Sequence, residues 1–302
     1  MCWRTYARAV AENIRHLYSM PRPRKSQEKR GILPRKSLVK DINYSDRDRK
    51  MAVMERKTRA GRTITIQQYA KPAEHKGKRE RKNGGTSEAQ KAGNMRRAVM
   101  MLTWLMNANF QDGDLLVTLD YKKERRPEDS IRMNKDFTNF YNRLKRKLKK
   151  AGLPPPRYIR VVEVGSKGAK HHHMLLPYID LQILRSCWPE GGVHVDPLYT
   201  DGNYRAIAEY FVKYSKKTME TEQREMKKLW YPSKGLKHVE PGKAREIKSR
   251  KIGEIKVPKD YYLDQDSVRT GISAYDGSET LTYIVVRLPD WPPKRKGGGR
   301  HG

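Results

Sequence analysis

The chain lacks the residues that hold small secreted domains together. Its 302 residues include two cysteines, Cys2 and Cys187, which are too few for a disulfide framework or a cysteine-based zinc site. The sequence opens without the apolar segment of a secretory signal. No apolar run approaches the roughly 18 residues that a membrane span requires. We therefore expect a cytoplasmic protein of a reducing compartment, with no membrane partner.

Acidic residues are also scarce. The chain has 34 Asp and Glu against 66 Lys and Arg, which gives a formal net charge of +32 and a pI of about 10.1. A positive field of this strength attracts polyanions, and nucleic acid is the leading candidate. An anionic membrane surface is the alternative, but the basic segments lack the apolar face that such binding needs.

The positive charge is densest in the first third of the chain. Residues 1–100 hold 27 Lys and Arg but 9 Asp and Glu. Segments such as 21–25 and 76–82 are too polar to bury a core. We therefore predict that residues 1–85 form a basic, largely disordered arm, in which residues 63–66 look like a short strand.

Two further regions follow this arm. The hydrophobic patterning predicts an ordered domain over residues 86–220. Residues 221–302 read as a basic extension with a strand at 281–287 and a disordered, glycine-rich tail from Lys294.

The ordered region alternates strand and helix patterns. Thr86 and Ser87 can cap a helix that ends near Asn109. A glycine and a proline run after Lys150 end a second, basic helix. The predicted order is helix 86–109, strand 115–119, helix 130–150, strand 158–164, a histidine-containing strand, helix 180–187, strand 193–195 and a helix reaching residue 219. This β-α-β-β-α-β-α order after the first helix predicts an α+β fold, with helices packed on an antiparallel sheet.

The most informative segment is the run His171-His172-His173, which lies in a strand. Alternate side chains share a face, so His171 and His173 point the same way, about 7 Å apart. Two neutral imidazoles at this distance can hold one divalent metal if a carboxylate of the sheet completes the site. A one-residue slip would make His172 a ligand instead, with Met174 as a poor partner for a hard metal. We therefore favour His171 and His173.

Three segments, in this order, resemble the motifs of the HUH endonucleases, which initiate rolling-circle replication of plasmids and single-stranded DNA phages. They are the apolar strand 116–119, the histidine run 171–173, and the segment 207–214, which has the pattern U-x-x-Y-U-x-K with U apolar. The likeness is to the phage-type and filamentous-phage-type initiators, and it covers residues 86–220. One departure is His172, since the middle position of the metal motif is usually apolar.

The resemblance implies a ferredoxin- or RRM-like core and a transesterification. Tyr210 falls at the nucleophile position and would form a 5′-phosphotyrosine link, releasing a 3′-hydroxyl without ATP. Tyr214, one turn further on the same helix face, matches initiators with two active tyrosines. Lys213 matches the motif lysine, which steadies the phosphate or the leaving oxygen.

Glu163 is the predicted third metal ligand. It ends the strand before the histidine strand, and the hairpin turn brings it back beside the histidines. Family members often use an acidic or amide residue there. A set of two histidines and one carboxylate suits Mn²⁺ or Mg²⁺. The alternative is that Glu163 pairs with Lys167 or Lys170.

DNA binding needs no further motif in so basic a chain. We expect phosphate contacts from the basic helix and from the end of the tyrosine helix, and an affinity that falls steeply with salt. These cations are Lys145, Arg146, Lys149 and Lys217. Exposed aromatic residues can also stack on single-stranded bases, although core packing explains the same residues equally well. The candidates are Tyr178, Trp188 and Tyr199, whereas Tyr204 and His194 read as structural.

The favoured function is a replication initiator that nicks and rejoins single-stranded origin DNA. A mobilisation relaxase or a transposase of the same superfamily would have the same motifs. A non-catalytic, RRM-like nucleic-acid-binding protein is the alternative from another class, because this fold serves both roles. The chain has no G-x-x-x-x-G-K-[ST] phosphate loop, so we expect a host helicase and polymerase as partners. The oligomeric state is left open.

Overall fold

A computed structural model describes residues 52–71, 87–165, 168–221, 228–247, 252–272 and 279–288. These residues belong to one compact unit, Ala52–Gly302. The predicted tail from Lys294 lies outside the described residues. None of the described helices is both long and apolar enough to cross a membrane.

The described residues contain ten strands and four α-helices. The strands are β1 (Val53–Ala60), β2 (Thr63–Ala70), β3 (Leu115–Asp120), β4 (Ile159–Val164), β5 (Lys170–Leu176), β6 (Val193–Pro197), β7 (Tyr231–Pro232), β8 (Ala244–Ile247), β9 (Tyr261–Ile272) and β10 (Glu279–Arg287). The helices are α1 (Glu88–Asn109), α2 (Ser130–Lys150), α3 (Leu181–Arg185) and α4 (Arg205–Thr221). The predicted α+β class and the predicted order from residue 86 to 221 are confirmed.

Two antiparallel sheets organise the unit. The first, here called the histidine sheet, has the strand order β6-β3-β5-β4-β7. The second, here called the outer sheet, has the order β8-β1-β2-β10-β9. Helices α1 and α4 pack against each other, and α4 also packs on β4.

One face of the histidine sheet forms a hydrophobic core with α2. Strand side chains alternate between faces, and the apolar face of α2 recurs at helical spacing. The buried residues of this core include Leu115, Val117, Leu119, Phe137, Phe140, Leu144, Leu148, Val162, Met174 and Leu176. Since this core occupies one face of the sheet, polar side chains of β3, β4 and β5 collect on the other.

The helix ends follow the predicted capping chemistry. Ser87 forms a capping box with Gln90 at the start of α1, because each side chain bonds to the backbone N–H of the other residue. Asp129 caps α2 by accepting a hydrogen bond from the N–H of Arg132. Gly152 follows α2 with φ +70°, a left-handed conformation that glycine adopts without strain.

The outer sheet corrects the prediction of a largely disordered arm over residues 1–85. Residues 53–60 and 63–70 form a hairpin whose second strand pairs with β10, more than two hundred residues away. The local pattern concealed this hairpin because its buried face includes hydroxyls rather than apolar side chains. Thr65 accepts a hydrogen bond from the indole of Trp104, and Thr63 accepts one from the amide of Asn107.

Candidate active site

The polar face of the histidine sheet brings a row of ionisable side chains together. In the register of the sheet, His171 of β5 lies directly between Asp120 of β3 and Glu163 of β4. Two residues further along, His173 lies beside Thr118. Cross-strand partners share a face, so this row forms one polar surface, and α4 covers part of it.

Glu163 joins the histidine strand to the tyrosine helix. Its Oε2 lies 2.7 Å from Nε2 of His173, and it accepts a hydrogen bond of 3.1 Å from the hydroxyl of Tyr210. Burial opposes ionisation of this carboxyl, but the contacts with His173 and Tyr210 outweigh it and lower the pKa of Glu163. Glu163 is therefore a carboxylate at neutral pH, placed between the predicted metal ligand and the predicted nucleophile.

The alternative partners of Glu163 receive no support among the described residues. Lys170 donates a 2.7 Å hydrogen bond to the carbonyl of Glu128, not to Glu163. Lys167 lies outside the described residues.

A second carboxylate completes the site, and the sequence analysis missed it. Asp120 lies 2.6 Å from Nδ1 of His171 and 2.8 Å from Nε2 of His194. Burial raises and the two imidazoles lower the pKa of Asp120, with a net lowering. His194, read as a structural strand residue, thus reaches the site through Asp120. The signal in the sequence was weak: Asp120 directly follows the apolar motif strand, but its pairing with β5 and β6 spans distant segments.

His172 points to the opposite face, as predicted. Its side chain is completely buried among Tyr121, Phe137 and Trp188. Nε2 of His172 lies 3.1 Å from the hydroxyl of Tyr121. Burial lowers the pKa of His172 well below its ordinary value, so it is a neutral core residue.

Helix α4 presents both tyrosines on one side. The rings of Tyr210 and Tyr214 have centroids 4.3 Å apart, and the Tyr210 ring lies 6.0 Å from that of His173. Tyr210 is buried, whereas Tyr214 is half-buried. Lys213 is exposed, and its ammonium lies 5.8 Å from the centre of the Tyr214 ring. The structure thus brings Tyr210 to Glu163 and places Lys213 nearer to Tyr214.

The donor set of this face fits a divalent cation in its chemistry. Nδ1 of His171 contacts Asp120, and Nδ1 of His173 lies 2.9 Å from the hydroxyl of Thr118. Hydrogen bonding at Nδ1 fixes the ring and leaves Nε2 as the ligand atom, which is the usual arrangement around a metal. Within the described ranges, however, no group of three His, Cys, Asp or Glu side chains is arranged to hold a metal. The metal site at His171, His173 and Glu163 therefore stays a prediction.

The predicted DNA-binding cations lie on two sides of the histidine sheet. Lys145, Arg146 and Lys149 are exposed on α2, whose apolar side packs on the face opposite the histidine row. Lys217 is exposed on α4, on the same side as the row.

The aromatic candidates divide in a similar way. Trp188 is buried and donates its indole N–H to the carbonyl of Asp120, so it is a core residue. Tyr178 and Tyr199 are exposed and stay candidates for base stacking. Tyr204 is buried, as predicted.

Comparison with known proteins agrees with this geometry. Residues 114–219, about a third of the chain, match a family model of replication-associated proteins, the ORF2 type. The matched segment begins just before β3 and ends within α4, so it contains all the residues of the histidine row and both tyrosines. Searches of curated proteins and of solved structures find no significant match. The family match supports a role in replication.

Proposed function

We propose that the protein initiates replication by nicking and rejoining single-stranded origin DNA, through a covalent link between Tyr210 and a 5′-phosphate. The observation that carries this proposal is the contact of one carboxylate, Glu163, with both His173 and the hydroxyl of Tyr210. Structural packing alone would not require a buried tyrosine hydroxyl and a histidine to converge on the same carboxylate oxygen. The family match over residues 114–219 supports the same role.

Glu163 prepares the nucleophile in this proposal. A tyrosine hydroxyl with an ordinary pKa near 10 is a weak nucleophile at neutral pH. The hydrogen bond to Glu163 orients the Tyr210 oxygen and gives its proton an acceptor. As the Tyr210 oxygen bonds to phosphorus, the bond from phosphorus to the 3′-oxygen breaks, and that oxygen takes up a proton to become the 3′-hydroxyl. The reverse reaction rejoins the strand, so no nucleotide cofactor is consumed.

His171, His173 and Glu163 would hold the metal, which we propose to be Mn²⁺ or Mg²⁺. When bound, such an ion polarises the scissile phosphate and neutralises charge that develops in the transition state. A carboxylate has about four lone-pair positions on its two oxygens. Glu163 can therefore serve a metal and orient Tyr210 together.

Tyr214 is proposed to be the second nucleophile. Its ring lies against that of Tyr210 on the same helix face, so a strand end bonded to Tyr210 stays beside Tyr214. Lys213, whose ammonium lies nearest Tyr214, would then assist phosphate binding at that tyrosine.

The cations of α2 are proposed to bind DNA that flanks the nicked strand. They lie on the far face of the histidine sheet, so one short strand in the site would not reach them. Lys217, on the face of the site, would contact the strand being cut.

The proposal is tested by covalent capture. We expect the full chain, incubated with a labelled pool of single-stranded oligonucleotides and Mn²⁺, to form an adduct that survives a denaturing gel. Tyr210→Phe should abolish the first cleavage, because it removes the attacking oxygen and keeps the ring. Tyr178→Phe, which changes an exposed tyrosine outside α4, is the matched control and should not alter the adduct.

Two results would count against the proposal in different ways. The absence of any adduct with every divalent metal would reject the strand-transfer function. A full yield from Tyr210→Phe, together with its loss in Tyr214→Phe, would reverse the assignment of the nucleophile.

A further inference from the structure

The tyrosine helix is held at its start by side chains of the outer sheet. Arg205, the first residue of α4, donates from Nε to Asp264 of β9 at 2.8 Å. Asn203, two residues earlier, donates to the same carboxylate oxygen at 2.8 Å. The side chains of Arg205 and Asp264 are only 12% and 14% exposed. Because this charged pair is mostly shielded from water, it constrains geometry more firmly than a surface ion pair does.

A second pair connects the next turn of α4 to the same strand. Nη1 of Arg205 donates to Oε1 of Glu209 at 2.7 Å, and the guanidinium of Arg269 lies 3.6 Å from that oxygen. Glu209 directly precedes Tyr210 and projects about 100° away from it around the helix axis. Contacts at Glu209 thus constrain the rotation of α4, and with it the direction of the Tyr210 side chain.

The shape of β9 explains how one strand provides both contacts. Five residues separate Asp264 from Arg269, so in a regular strand their side chains would point to opposite faces. Their partners on β10 are Ile284 and Thr282, which are two residues apart and share a face. The four residues between Asp264 and Arg269 form a bulge that brings both side chains to the side of α4.

The bulge is fixed by hydrogen bonds. The hydroxyl of Ser267 donates to the carbonyl of Asp264 at 2.5 Å and accepts from the N–H of Ile284 at 2.8 Å. Bulges of this kind redirect side chains, and they are enriched next to active sites.

An independent contact holds the same end of the helix from α1. The side-chain oxygen of Asn107 accepts a 2.9 Å hydrogen bond from the N–H of Tyr204, and its amide donates to Thr63 of β2. All three residues are buried. The start of α4 is therefore tied to β2 and to β9, two strands of the outer sheet that lie outside the matched segment 114–219.

We propose that the bulge of β9 is a positioning device for the tyrosine helix, in which Asp264 and Arg269 set the place of the Tyr210 hydroxyl relative to Glu163. These residues act through Arg205 and Glu209 and do not touch the DNA strand. The effect on cleavage rests on the proposed function, but the effect on the helix does not.

The test compares two substitutions in the same bulge. Asp264→Asn removes the charge that holds Arg205, whereas Asp266→Asn removes an equal charge from an exposed neighbour. At saturating DNA, we expect Asp264→Asn to slow adduct formation tenfold or more, because a displacement of about 1 Å can cost a hundredfold. The DNA concentration for half-maximal rate should stay within about twofold of the wild-type value. Asp266→Asn should match the wild type, and Asp264→Glu, which keeps the carboxylate, should recover most of the rate.

Hydrogen exchange provides a measurement that does not need activity. Amides of residues 207–214 should exchange several-fold faster in Asp264→Asn than in Asp266→Asn. Arg269→Gln, at an exposed position that folding tolerates, should produce a smaller change of the same kind. Equal cleavage and exchange rates in Asp264→Asn and Asp266→Asn would overturn the positioning role. A wild-type chain without adduct would instead reject the proposed function, while the exchange data would still decide whether β9 holds the helix.

Discussion

Asp120 contacts two imidazoles, and its removal would release both. Asparagine at this position keeps the volume but places an amide nitrogen where one of the two carboxylate oxygens now faces a histidine. His171 would then lose either its hydrogen bond at Nδ1 or its orientation. Because partners that orient metal ligands typically contribute 10–100-fold to metal affinity, Asp120→Asn should weaken metal binding by about that factor.

The measurement is the Mn²⁺ concentration that gives half-maximal adduct formation, together with direct Mn²⁺ binding. Asp196→Asn is the matched control, because it removes the same charge from the neighbouring strand β6 and lies outside the row formed by Asp120, His171 and Glu163. An unchanged Mn²⁺ requirement in Asp120→Asn would show that Asp120 does not orient a metal ligand.

At the scale of residues, period-two alternation predicted most of the polar row. It placed His171 and His173 together and His172 in the core, and the hairpin turn placed Glu163 beside them. Asp120 and His194 escaped, because their positions depend on the pairing of β3 with β5 and β6. Such pairing joins segments about fifty to eighty residues apart, and no local pattern specifies its register.

The turn between β1 and β2 seats the outer sheet against α1. Gly61 has φ +56°, and a Cβ atom at this position would lie 1.9 Å from the carbonyl oxygen of Asn107. Gly61→Ala would therefore combine backbone strain with displacement of α1, and should lower the free energy of unfolding by roughly 3 kcal/mol or more. Because Asn107 also holds the start of α4, we expect adduct formation to slow in the same variant.

Gly152→Ala provides the matched control for this prediction. Gly152 also has a positive φ, of +70°, but no atom lies within 4 Å of the added Cβ. Its substitution should cost only the backbone strain, of about 1 kcal/mol. Chemical denaturation of both variants gives the comparison, and equal losses would mean that the close approach to α1 contributes nothing.

Prediction at the scale of elements succeeded where one segment determines its own structure. The amphipathic spacing of α2 and the caps of α1 and α2 gave these helices almost to the residue. The outer sheet was missed because residues 53–70 are polar on one buried face and pair with strands near the other end of the chain. The bulge of β9 has no equivalent in a simple alternation pattern, so the contacts of Asp264 and Arg269 with α4 could not be foreseen.

The net charge of +32 should control how the whole molecule meets DNA. Each phosphate contact adds about 0.9 to the slope of log affinity against log salt for duplex DNA. Replacing Lys145, Arg146 and Lys149 with glutamine should therefore reduce this slope by up to about 2.7. Binding of a short single strand in the site should change less, because these cations lie on the opposite face of the histidine sheet.

A triple substitution elsewhere separates position from total charge. Lys234, Lys237 and Lys259 are exposed residues outside α2, and their replacement with glutamine changes the net charge equally. Fluorescence anisotropy at several salt concentrations measures both variants. Equal losses of slope would show that the general field binds the DNA and that α2 has no special part.

The pairing of β2 with β10 has a consequence for synthesis on the ribosome. Thr63 and Val286 are partners in this pairing, so the outer sheet cannot be completed until nearly the whole chain has been made. The histidine sheet and both tyrosines are translated earlier. At about 5–20 residues per second, the interval between the end of α4 and the end of β10 lasts several seconds. During that time the nascent chain would have the cleavage residues but not the strands that hold their helix, so its nicking activity would arise only as synthesis finishes.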